Sequence, residues 1–149
     1  MANRCTGQPC TAAPPQASLA GANGEVAIEL LGSCWTSPTP NAQGQTTALC
    51  VDSFRDPQAV LVVNRGETLT LRFATAGVPT RVSLERGDQS TPLTAGNPTR
   101  FGSDLPAGVY IVRFFTAWLQ GDAAYHVRLD VRAPAGPATP TTGNITLTG

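Results

Sequence analysis

The side chains able to do chemistry are few and scattered. The chain has one histidine, His126, and four cysteines at positions 5, 10, 34 and 50. Those spacings are not the paired C-x2-C of a zinc site, and a single histidine does not complete one. A blue-copper centre needs two histidines and a cysteine, which excludes it. No serine or cysteine sits in a nucleophile context, and Gly-x-Ser-x-Gly is absent. His126 falls on the polar face of an alternating strand, where a lone histidine reads as a solvated side chain. It is also the sole general base that a hydrolase would have at its disposal. Asp52, Asp56, Asp88, Asp104 and Asp122 are loop acids able to gather around Ca2+ through carboxylate and carbonyl oxygens. They follow neither an EF-hand nor a tandem Asp repeat, and turn and strand-end capping accounts for them. The expectation is a chain that is not an enzyme, with no catalytic residue, no metal site and no cofactor.

The cysteines read better as structure than as chemistry. An even count in a chain rich in Gly, Pro and Thr favours disulfides and an oxidising compartment. Of three connectivities, the nearest-neighbour choice pairs Cys34 with Cys50 and Cys5 with Cys10. Closing the loop between 34 and 50 stabilises by about 3 kcal/mol on the loop-entropy estimate. Trp35, beside Cys34 at the mouth of a long polar loop, is a candidate stacking platform for a sugar or peptide. A Trp adjacent to a disulfide also packs over it as core. Trp118, at the end of a central strand, joins Trp35 as a candidate binding surface, with core or rim packing as its alternative.

The elements that would position these residues are strands. The chain is 149 residues long, 41% hydrophobic and 13% charged, which suits one domain with tails. Its basic residues are all arginine and balance ten acids to a net charge of zero. Without a basic cluster, nucleic acid is excluded as a partner, and basic-patch binding to membrane surfaces is disfavoured. No apolar leader or transmembrane span is visible, because Met1-Ala2-Asn3-Arg4 runs straight into a polar, Pro-containing segment. The expectation is a mature exported protein, extracellular or on a cell surface, with its leader removed.

Residues 1–23 have linker composition, 24–133 form the folded domain, and 134–149 are a Pro, Thr and Gly tail. Val26, Ile28 and Leu30 give a first strand, and Thr47 to Val51 a short returning one. Ala59 to Val63, nearly all apolar, predicts a strand covered on both faces. Leu69, Leu71 and Phe73 alternate with Thr68, Thr70 and Arg72, the clearest period-2 signal in the chain. Val82 and Leu84 form the next strand, closed by Arg86-Gly87-Asp88, an integrin-type tripeptide read here as turn chemistry. Residues 89–104 read as polar loop with Phe101 as a landmark.

Two closing strands follow. In the first, Tyr110, Val112, Phe114, Thr116 and Trp118 share a face, and the opposite face is apolar too, so the strand should be central. In the second, Tyr125, Val127, Leu129 and Val131 point inward and leave His126, Arg128, Asp130 and Arg132 in water. Seven or eight short strands with regular turn signals predict an all-β, antiparallel β-sandwich, immunoglobulin-like or jelly-roll. In the tail, Asn144-Ile145-Thr146-Leu147-Thr148 forms a strand if given an edge to pair with.

Val63 to Val131 resembles the bacterial pre-peptidase C-terminal domains and related secreted β-sandwiches. The matching motifs are Gly66-Glu67-Thr68-Leu69-Thr70-Leu71, Leu105-Pro106-Ala107-Gly108-Val109-Tyr110 and Gly121-Asp122-Ala123-Ala124-Tyr125. Each has a packing or turn role, so the resemblance implies a fold and no activity. Gly32-Ser33-Cys34-Trp35 with Cys50-Val51-Asp52 is similar to a pattern in uncharacterised bacterial surface lipoproteins, which implies a disulfide and an extracytoplasmic location.

The expected function is a non-catalytic binding or structural module of a bacterial cell surface, with an unknown protein or cell-envelope partner. Its recognition surface would lie on the 33–48 loop or on a sheet edge within reach of the tail. Alternatives are an assembly component that self-associates through its tail, and a small-ligand or calcium-binding receptor domain.

Overall fold

A computed structural model describes residues 11–37, 41–53, 55–74, 79–94, 99–102 and 105–133. Within them are ten strands: β1 (Ala17–Gly21), β2 (Gly24–Thr36), β3 (Ala48–Asp52), β4 (Val60–Asn64), β5 (Thr68–Phe73), β6 (Arg81–Arg86), β7 (Gln89–Leu93), β8 (Thr99–Gly102), β9 (Gly108–Ala117) and β10 (Gly121–Arg132). The architecture is all-β. The hydrogen-bonded order is β7-β6-β9-β10-β2-β1-β5-β8, with β3 paired to β2 and β4 to β10. Among the described residues no helix is long and apolar enough to cross a membrane.

One strand turns this path into two layers. The first part of β2 pairs with β1, Ala17 opposite Ile28 and Gly21 opposite Gly24. Its second part pairs with β10, Glu29 opposite His126 and Trp35 opposite Gly121, with a register shift between Ala124 and Tyr125. Such an irregularity bends a strand and sharpens its twist, and here it falls where β2 leaves one sheet for the other. The first sheet holds β1, β5 and β8 with the start of β2. The second holds β3, β4, β6, β7, β9 and β10 with the rest of β2. Where β2 departs, β4 takes over the next stretch of β10 in parallel, Val60 opposite Arg128 and Asn64 opposite Arg132. All other pairings are antiparallel.

Alternation fills the space between the layers. On β5, Leu69, Leu71 and Phe73 are buried, as their period predicts. On β10, Tyr125, Val127, Leu129 and Val131 face the core, and across from them Val112 and Phe114 of β9 are equally buried. The β9 strand is central, flanked by β6 and β10. Its outer face is not covered, however, and Val109 and Ile111 lie exposed beside Arg128 and Asp130. Likewise β4 is covered on one side only: Leu61 and Val63 are buried while Val60 is exposed. The apolar run there reflects a parallel edge strand, not a strand enclosed on both faces.

Three strands arise where the sequence shows none. β1 lies inside the segment expected as a linker and is flanked on both sides, by β2 and β5. Its inward residues are Ala17 and Leu19, so a single large side chain carries its signal. β7 and β8 lie within the expected 89–104 loop, and the landmark Phe101 is buried on β8. β7 carries Pro92 and, among the described residues, pairs only with β6, an edge position that tolerates a residue without an N–H. Arg86-Gly87-Asp88 is the turn between β6 and β7, with Gly87 at a φ of 57°.

Candidate functional site

The candidate residues fall into two groups on the second sheet. The first gathers around the paired cysteines. Cys34 on β2 and Cys50 on β3 are direct cross-strand partners and form a disulfide, as nearest-neighbour pairing predicts. Cys5 and Cys10 lie outside the described residues. The bridge ties β3, the outermost strand on that flank, to β2. All five residues of β3 are exposed, and Leu49 and Val51 retain 68% and 45% of their accessible surface.

Trp35 and Trp118 are close to this bridge in sequence or space but are not a surface. They are 6% and 9% exposed. Their rings meet edge-on at 6.4 Å, and Phe73 of the first sheet lies edge-on to Trp118 at 4.9 Å. Neither ring is open to a ligand, because both are spent joining the two sheets.

Above the tryptophans runs a strap formed by residues 11–16. Gln120, in the β9–β10 turn, is buried and reads the strap's backbone. Its Oε1 accepts from the Thr11 N–H at 3.0 Å, and its Nε2 donates to the Thr11 carbonyl and, at 2.6 Å, to that of Thr36. Trp35 Nε1 also donates to the Thr11 carbonyl, at 3.1 Å, and the Tyr125 hydroxyl donates to the Pro15 carbonyl at 2.6 Å. Burial raises the Tyr125 pKa well above the ordinary tyrosine value, keeping that donor protonated. Gly121 follows because the β2 backbone crowds it: a Cβ there would run into the Cys34 carbonyl oxygen. Gln120→Ala would leave the Thr11 N–H unpaired beneath the strap. A loss of about 1–3 kcal/mol is expected, with faster proteolysis within residues 11–16, measured by urea denaturation and limited digestion.

The second group surrounds His126. The histidine does occupy the outward-facing register of β10, but it is 4% exposed and not in water as its alternation predicts. The cause is tertiary: the connection from β3 to β4 folds across it. A cleft of about 230 Å3 there is lined by Glu29, Leu30, Ser53, Arg55, Asp56 and His126. Glu29 Oε2 lies 4.0 Å from His126 Nε2 and accepts the Gln58 N–H at 2.6 Å, which anchors the connection.

Burial lowers the His126 pKa; Glu29 and Asp56 oppose the shift and Arg113 adds to it. The folded state therefore prefers neutral imidazole. Its contribution to stability is complete above the unfolded-state pKa of about 6.5 and is lost as pH falls below that value. Melting temperature should drop between pH 7 and 5, and His126→Gln should flatten that slope. An unchanged slope in the variant would assign the drop to other groups.

The loop acids do not converge. Asp56 lines the His126 cleft, Asp52 ends β3, Asp88 sits in the β6–β7 turn and Asp122 on β10; Asp104 lies outside the described residues. Among the described residues no three His, Cys, Asp or Glu side chains are grouped to hold a metal ion. A second cleft of about 470 Å3 lies over β1 and β5, where Glu25 accepts the Ser18 hydroxyl at 3.1 Å and faces Arg72 at 3.9 Å. Its charges compensate one another.

The geometry defines a class: a two-layer β domain with a disulfide-clamped, fully exposed edge strand. No protein-family model, curated protein or solved structure matches the chain. Sequence reasoning missed Gln120 and Glu29, whose roles depend on partners 109 and 29 residues away in sequence. No local pattern marks such contacts.

Proposed function

We propose that this chain is a non-catalytic, exported module of a bacterial cell surface, and that it works by presenting a sheet edge for protein assembly. One observation carries this: the tryptophans and the histidine are taken up by packing, while β3 stands exposed with Leu49 and Val51 uncovered. An exposed strand offers backbone hydrogen bonds and apolar side chains, the chemistry of strand addition and not of bond cleavage. The disulfide supports export, since such bonds persist in oxidising compartments.

A thermal-shift panel on the oxidised protein with Ca2+, Zn2+, Cu2+, cell-wall fragments and simple glycans tests the proposal. A flat panel is expected. A ligand held at about 100 times its dissociation constant would add roughly 2.7 kcal/mol, several degrees for a domain of this size. Such a shift would make the protein a small-ligand receptor instead. The His126 cleft favours that second reading, and a shift abolished by Glu29→Gln would locate the ligand there.

A further inference from the structure

The register of β3 fixes which of its backbone groups are free. The Ser37 N–H donates to the Thr47 carbonyl at 2.7 Å, and the Ser53 N–H to the Leu31 carbonyl at 2.6 Å. Between these bonded positions, antiparallel pairs alternate between hydrogen-bonded and non-hydrogen-bonded. Leu49–Trp35 and Val51–Ser33 are therefore bonded pairs, and Ala48–Thr36, Cys50–Cys34 and Asp52–Gly32 are not. The N–H and C=O groups of Ala48, Cys50 and Asp52 accordingly point away from β2. Among the described residues no strand pairs with them.

Among the described residues the other sheet edges are blunted. β7 carries Pro92, β8 is four residues long, and the Asn23 side chain donates to the Val62 carbonyl on β4. β3 has no Pro or bulge to discourage pairing, its one charge, Asp52, sits at its end, and it shows large apolar side chains on one face. Natural edges avoid that combination unless they are used.

The tail sequence carries a segment, residues 144–148, of the same length and complementary pattern. With Thr146 opposite Cys50 in an antiparallel register, Leu147 meets Leu49, Ile145 meets Val51, and Asn144 meets Asp52. The four apolar residues then share one face, no like charges oppose each other, and each apolar cross-strand pair stabilises. The spacer sequence before it holds Pro134, Pro137 and Pro140, a composition that favours long reach.

Reach favours a neighbour's tail over the chain's own. β10 ends at Arg132, while Asp52 lies level with Ala124 through Gly32. Returning there means about 26 Å back along the strand and about 14 Å across three strand spacings, or roughly 30 Å. The spacer spans about 34 Å only when held straight at ~3.1 Å per residue, with no slack to round the sheet edge.

We propose that the free edge of β3 accepts residues Asn144–Thr148 of a second copy of this chain as an added antiparallel strand. The inference rests on the assembly function proposed above and names its partner. Because donor and acceptor surfaces differ, the contact is head-to-tail and builds rings or open chains.

The test compares the oxidised full chain with a version lacking residues 144–149 and with Ile145→Asp, by light scattering across concentration and by amide exchange. The full chain is expected to associate and to protect the amides of Ala48, Cys50 and Asp52. Both variants should be monomeric and lose that protection, without change in the core strands. Association with exchange on β3 unaffected by the tail would overturn the β3 site and leave self-assembly standing. A monomer with protected β3 amides would mean that the chain's own tail fills the edge, and would overturn the second copy as partner. A monomer with unprotected amides would overturn the second copy as partner and leave the assembly function to a different protein.

Discussion

Trp118→Ala is expected to destabilise the domain by about 3–5 kcal/mol, the range for emptying a buried large aromatic site. The indole lies between the sheets, edge-on to Phe73 of β5 and to Trp35 of β2. Its Nε1 donates to Thr116 Oγ1 at 2.9 Å, and the Thr116 hydroxyl donates to the Ala123 carbonyl at 2.8 Å. Truncation leaves a void that backbone on three strands cannot close, and it strips one partner from a fully buried hydroxyl. Against a total stability of about 5–15 kcal/mol for a native domain, that is a large share. Equilibrium urea denaturation reads it directly as a lower midpoint. Trp118→Phe, which keeps a ring against Phe73, should lose less. A Trp serving as an exposed platform would behave differently, with stability within about 0.5 kcal/mol of the parent. Trp35→Ala should follow the same pattern, with the added loss of its bond to the Thr11 carbonyl.

How much of this was legible beforehand depends on the range of the interaction. The alternation of Leu69, Leu71 and Phe73, and of Tyr125 through Val131, is a local record of one buried face, and those strands lie where their period puts them. The Cys34–Cys50 bridge was equally readable, since both cysteines sit on neighbouring strands of one local excursion. β1 was not: Ala17, Ser18 and Ala20 carry little strand signal, and the strand exists because β2 and β5 flank it. β7 and β8 were hidden by Thr, Pro and Gly, residues whose local preferences favour turns and which an edge tolerates. Burial of His126 failed for a further reason. Its own strand places it outward, and Ser53, Arg55 and Asp56, held over that face with Gln58 anchored to Glu29, remove it from water. The same limit applies to the candidate site: Trp35 was visible beside a disulfide and Trp118 at the end of a central strand, but whether they faced solvent depended on Phe73 and the strap. The exposed edge of β3 was legible only as a short strand; that no described strand pairs with its far side is a property of the sheet order.

Removing the 34–50 bridge should be the second large effect. Cross-linking a loop with a sequence separation of 16 residues contributes about 3 kcal/mol through the unfolded state. Reduction, or replacement of both cysteines by serine, should therefore lower the melting temperature by about 10 °C. The structure further specifies where the loss appears first. β3 buries none of its five side chains and is paired on one side only, so beyond the bridge little but its ladder with β2 holds it. Core strands such as β9 and β10, with Phe114, Tyr125 and Val127 sealed between the sheets, have no such dependence. Amide exchange at Leu49 and Val51 should accelerate on reduction well before exchange at Val112 or Val127, since regions with few buried contacts open first. An unchanged melting temperature would show that the ladder alone secures β3. A uniform acceleration across β3, β9 and β10 would show instead that the bridge stabilises the whole domain and not its edge. If the edge does loosen first, any strand docked on β3 should be released with it, so reduction should dissociate the assembly at temperatures where the core remains folded.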